Sequence, residues 1–151
     1  MIDLRTLLES SVRKYLTVLA ILTSTALTWN AAAAEDLSLC RLGAEAMERG
    51  DFHAAVENMT LCLETGELSP ATMAAAYNLR GGFSYILGEY DRAIEDYSRA
   101  IDLDPDLASA YSNRGVALVD FREFRRAIDD FDHAIEIDPD YAMAFNNRGN
   151  S

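Results

Sequence analysis

Small, aromatic and charged positions recur along the second half of the chain at a fixed spacing. Residues 74–107 align with residues 108–141 without a gap. Tyr77 meets Tyr111, and Arg80-Gly81 meets Arg114-Gly115. Glu89, Arg92-Ala93-Ile94 and Asp96 meet Glu123, Arg126-Ala127-Ile128 and Asp130. Ala100-Ile101 meets Ala134-Ile135, and Asp104-Pro105-Asp106 meets Asp138-Pro139-Asp140. Self-similarity at a period of this length marks a stacked repeat. Asp104-Pro105 and Asp138-Pro139 read as the stop of one helix and the start of the next. A further unit opens at Ala142 with Phe145, Arg148 and Gly149 before the last residue, Ser151.

The spacing resembles that of the tetratricopeptide repeat family over residues 36–151. The family pattern wants a large residue at position 4 and a small one at 8. It wants aromatics at 17 and 24, Ala at 20 and 27, and Pro at 32. One unit supplies Tyr77, Gly81, Tyr90, Ala93, Tyr97, Ala100 and Pro105. The next supplies Tyr111, Gly115, Phe124, Ala127, Phe131, Ala134 and Pro139. An earlier, degenerate unit over 36–73 supplies Leu39, Gly43, Gly50, Phe52, Ala55, Met59 and Cys62, and lacks the proline. Its junction is longer, and Gly66 with Ser69-Pro70 provide the stop and restart. Units are thus expected at 36–73, 74–107 and 108–141, with a partial first helix at 142–151. The resemblance implies an all-α fold, an α-solenoid of stacked antiparallel helix pairs in a right-handed superhelix. Gly50, Gly88 or Arg122 is expected in each short turn within a pair. A single unit cannot bury its own apolar face, so neighbours must stack.

The same resemblance implies a groove lined by the first helix of each unit, where protein or peptide partners bind. Its positions here are Ala75, Asn78, Gly82, Tyr85 and Ile86, then Ser109, Ser112, Val116, Val119 and Asp120, then Met143, Asn146 and Asn150. This neutral strip mixes hydrogen-bonding and apolar groups and suits an extended peptide or a helix. The cations with which some relatives clamp a carboxylate tail are missing. Arg80, Arg114 and Arg148 recur at position 7 and are read as structural partners of acids such as Asp96 and Asp130. Cys40 and Cys62 lie at matching levels on either side of the Gly50 turn. A disulfide between them is expected in an oxidising compartment.

Residues 1–34 depart from the repeat. Arg13 and Lys14 precede an apolar run from Tyr15 to Trp29, and Ala31 to Ala34 stand before Glu35-Asp36. This order describes a signal peptide cleaved after Ala34, with an uncleaved N-terminal anchor as the alternative. Either reading places the rest of the chain outside the cytoplasm, periplasmic or secreted. The net charge of −12 argues against nucleic acid, whose phosphates such a surface repels. Half of the residues are apolar, as a folded chain requires.

Catalytic patterns are absent: no nucleophile elbow, P-loop or dinucleotide glycine motif occurs. His53 and His133 have no companions at metal-ligand spacing, so neither metal nor cofactor is expected. The acids Glu95-Asp96 and Asp129-Asp130 read as a solvated helix face. The chain is therefore expected to be a non-catalytic interaction scaffold. The alternatives are a homo-oligomer built through the C-terminal edge, or a piece of a larger envelope or secretion protein.

Overall fold

The computed structural model describes residues 31–64 and 68–139, with side chains described from Ser38 onward. The chain divides between Ala34 and Glu35, and the array belongs to the second unit. The signal or anchor segment before Ala31 and the partial helix at 142–151 lie outside the described residues. Six helices and no strands are found among the described residues. They are α1 (Ala31–Glu48), α2 (Phe52–Glu64), α3 (Pro70–Ile86), α4 (Tyr90–Leu103), α5 (Ala108–Asp120) and α6 (Phe124–Ile137).

Local chemistry sets the boundaries. Ser69 accepts the Thr72 N–H at 3.2 Å, and Pro70 opens α3 where a missing N–H costs nothing. Asp51 Oδ1 accepts the Ala54 N–H at 3.1 Å at the start of α2. Asp104 ends α4 and its carboxylate accepts the Asp106 N–H at 3.2 Å, an Asx turn that leads into α5. Gly50 and Gly88 take φ of 73° and 79° in the turns within pairs, and Arg122 holds the same place at φ 63°.

Each pair is drawn together at one point. A Cβ on Gly81 would stand 2.9 Å from the Tyr97 ring, and one on Gly115 would stand 2.6 Å from the Phe131 ring. Both rings are buried. Burying an aromatic of this size contributes about 1.5–3 kcal/mol. In the degenerate first pair, the flexible Met59 takes the ring's place against Gly43 at 3.0 Å. Cys40 and Cys62 are disulfide-bonded across that pair, with Cα atoms 5.2 Å apart.

Beside each glycine an arginine is committed to the facing helix. Arg80 meets both oxygens of Asp96, at 2.8 and 2.6 Å, and Arg114 meets Asp130 at 2.8 and 2.7 Å. These bidentate bonds raise both guanidinium pKa values above the ordinary one, against the opposing effect of burial. Asp96 and Asp130 are buried, at 2% and 5% exposure. This corrects the expectation of a solvated acidic face at these two positions. The neighbouring Glu95 and Asp129 do face solvent. The arginines also reach back one repeat: Arg80 donates to Thr60 at 3.1 Å and Arg114 to Ser98 at 2.9 Å. Removing one member of such a buried pair typically costs about 3–5 kcal/mol.

Two adjacent glycines test the account of helix spacing. Gly81→Ala sets a methyl against a buried ring, an overpacking cost of about 1–3 kcal/mol. Gly82→Ala meets only the Tyr97 hydroxyl, at an ordinary 3.8 Å, and gains about 1 kcal/mol of helix propensity. Urea denaturation is expected to move the two midpoints in opposite directions. Equal shifts would refute the close approach at Gly81.

Candidate partner-binding site

The strip predicted from the sequence lies on α3 and α5, which run side by side. On α3, Asn78, Gly82, Tyr85 and Ile86 follow helical spacing and share one face. On α5, Ser109, Ser112, Val116, Val119 and Asp120 do the same. Asn146 lies outside the described residues.

Two of these positions do not form an open surface. Asn78 is 3% exposed and Ser112 is fully buried. Asn78 Nδ2 donates to Ser109 Oγ at 3.3 Å, and its Oδ1 accepts from Asn113 Nδ2 at 3.1 Å. The amide is spent on joining α3 to α5. Ser112 lies one turn along α5, and its hydroxyl has no hydrogen-bond partner. Both are corrected from partner contacts to parts of the helix–helix seam. The physical reason is crowding: α5 approaches α3 closely enough to exclude water at their level.

The remainder of the strip is open. Gly82, Tyr85, Val116 and Val119 are half-buried, while Ile86 and Asp120 are exposed. Tyr85 packs against Ala93, Tyr97 and Ala117. Its hydroxyl donates to Asp120 Oδ2 at 2.6 Å, tying the end of α3 to the end of α5. Val116 and Val119 pack over the cluster of Leu118, Ala127, Phe131 and Ala134. The result is an apolar strip with a carboxylate and a phenol at one end. It offers van der Waals contact and hydrogen bonds, and no cation is among its residues.

Asn113 was not anticipated from the sequence. Its counterpart one unit earlier is Leu79, so the period gave no reason to expect a polar contact there.

Residues 84–120 match the family described as TPR repeat, and residues 108–141 match tetratricopeptide repeat. Tetratricopeptide-repeat models thus match residues 84–141 of the chain. Three solved structures share this repeat fold. MamA is 25% identical, with a TM-score of 0.70, over 94% of this chain and 75% of that one. The TPR domain of Arabidopsis OM64 is 23% identical, with a TM-score of 0.72, over 79% of this chain and 95% of that one. The second TPR domain of human RPAP3, in complex with the HSP70 peptide SGPTIEEVD, is 21% identical, with a TM-score of 0.72. That match covers 79% of this chain and 96% of the RPAP3 domain. Tetratricopeptide repeats are protein–protein interaction modules, and the fold is generally non-catalytic.

Burial first, and then the bond to Asp120, raise the pKa of the Tyr85 hydroxyl above the ordinary tyrosine value. The folded chain therefore holds this proton more tightly than the unfolded one. The resulting stability is present below about pH 10, the unfolded value, and is lost as pH rises through the higher folded value. Absorbance titration should show Tyr85 ionising later than an ordinary tyrosine. Asp120→Ala should bring it part of the way back, because burial remains. A titration curve indifferent to Asp120→Ala would refute the assignment.

Proposed function

We propose that this chain is a non-catalytic protein-binding adaptor acting outside the cytoplasm. It takes an extended peptide or a helix along the open strip of α3 and α5. One observation carries this reading: the half-buried row of Gly82, Tyr85, Val116 and Val119 runs across two repeats and stays open to solvent. A row of this kind matches the spaced apolar anchors of a peptide or helix. Asp120 is exposed at its end, so a neutral or basic segment fits better than an acidic tail. The RPAP3 domain takes an acidic peptide, and this strip lacks cations to do the same.

Export rests on the order of charges, apolar run and alanines before Glu35. The Cys40–Cys62 bond supports it, since such bonds persist in oxidising compartments. No helix among the described residues is long and apolar enough to cross a membrane.

Photo-crosslinking groups placed at Ile86 and Val116 should capture a protein partner in the cell envelope. The same group on the exposed Asp102, outside the strip, should not capture that partner. Val119→Asp should abolish the capture while leaving the helical circular dichroism unchanged. Capture that is equal from all three positions, or that survives Val119→Asp, would end the peptide-strip reading.

Intact mass of the protein expressed with residues 1–34 in place tests its location. The expected product starts at Glu35 and is two hydrogens lighter than the reduced chain. A product retaining residues 1–34 would instead mean an anchored protein.

A further inference from the structure

Two surfaces outside the α3–α5 strip complement each other. The first is the turn between α5 and α6. Phe121 and Phe124 are each 46% exposed there. The exposed Arg122, Arg125 and Arg126 stand beside them, with Glu123 paired to Arg126 at 2.5 Å. In a chain of net charge −12, this is a local reversal of sign around two bare rings. Arg122 also sits at φ 63°, where the other two turns have glycine. A side chain held there costs about 1 kcal/mol relative to glycine, so backbone stability does not account for the arginine.

The second surface is a cleft of about 370 Å³ between α2 and α4. Val56, Leu61 and Leu87 give it apolar lining, and Glu57, Glu64 and Glu89 give it carboxylates. Arg92 also borders it, occupied by Thr60 and Glu89. One unit later an arginine takes the corresponding place: Arg99 pairs with Glu95 at 3.0 Å. In the first unit the counterpart of Glu95 is Glu57, and Leu61 stands four residues on where an arginine would pair with it. Leu61 remains 43% exposed. The cleft is therefore both greasy and acidic, the opposite of the turn in charge and its match in polarity.

We propose that the α5–α6 turn of one copy docks in the α2–α4 cleft of a second copy. Phe121 and Phe124 enter against Val56, Leu61 and Leu87, and Arg122 and Arg125 meet Glu57 and Glu64. The volume lies in the range that seats small ligands, and two phenyl rings are smaller. The turn and the cleft of a single copy are fixed one repeat apart by rigid helices, so the contact joins two molecules. A second copy suits the turn better than an anionic lipid surface. Lipid would attract the arginines but repel the strongly acidic remainder of the chain. The contact leaves Tyr85, Val116 and Val119 uncovered, so peptide capture and self-association are separate properties.

Sedimentation of the full chain across about 1–100 µM tests this, a range suited to modest interfaces. Self-association is expected, weakening as salt screens the charge pairs. Phe121→Asp with Phe124→Asp removes the knob, and Glu57→Lys with Leu61→Lys removes the cleft. Each double variant alone should weaken association at least about tenfold, as loss of a central aromatic or charged contact does. An equimolar mixture of the two should recover a heterodimer, because one copy keeps an intact cleft and the other an intact turn. Arg122→Gly should raise thermal stability and still weaken association, an outcome no purely structural role predicts. A wild-type chain that stays monomeric throughout would overturn the proposal. So would a mixture that stays monomeric, or a monomer that binds anionic vesicles through Phe121 and Phe124. None of these results bears on cross-linking from Ile86 and Val116, which reads the peptide strip alone.

Discussion

The absence of a methyl group governs this architecture. At Gly81 and Gly115 the helices of a pair come close enough that a Cβ would overlap the facing ring. That approach brings the adjacent residues into contact as well. Arg80-Gly81 faces Asp96-Tyr97, and Arg114-Gly115 faces Asp130-Phe131. The glycine sets the distance, the ring fills it, and the ion pair sets the register. A buried carboxylate is tolerable only where its partner is aligned, so a slip of one turn would leave both charges stranded. Packing and polarity thus select the same arrangement.

The seam between repeats follows from this spacing. With α3 and α5 held in place by their partner helices, Asn78 is enclosed and must be satisfied by Ser109 and Asn113. The Tyr85–Asp120 bond closes the other end of the seam. What remains open is a strip of intermediate polarity on rigid helices. A surface of that kind binds with little ordering cost to the protein itself. The geometry supplies a platform for a partner.

Much of this was legible in the sequence, because the repeat states each constraint twice. Glycine, ring, alanine and proline recur in register, so helix pairs and turns could be read directly. The arginine–aspartate pairing was legible for the same reason. Features that break the period were not. Asn113 replaces Leu79, and its bond to Asn78 depends on how two units lean together. Asn78 and Ser112 carry the polarity of surface residues, and only the proximity of α5 to α3 encloses them. Asp96 and Asp130 sit among exposed acids, and linear pattern does not distinguish a buried carboxylate from its solvated neighbour. The exposed phenylalanines were hidden differently. Phe124 satisfies the aromatic position of the motif, yet in the third unit nearly half of it remains uncovered.

The backward reach of each arginine makes the stack a directional grammar. Arg80 reads the hydroxyl of Thr60, and Arg114 reads that of Ser98. The third unit carries Asp132 at the corresponding position. By register the next arginine in the sequence is Arg148, and its counterpart there is a carboxylate rather than a hydroxyl, a stronger and more demanding partner. The repeats are therefore not interchangeable bricks. Shuffling or duplicating them by recombination would change which words may follow one another, and insertions would be tolerated at one junction and resisted at the next.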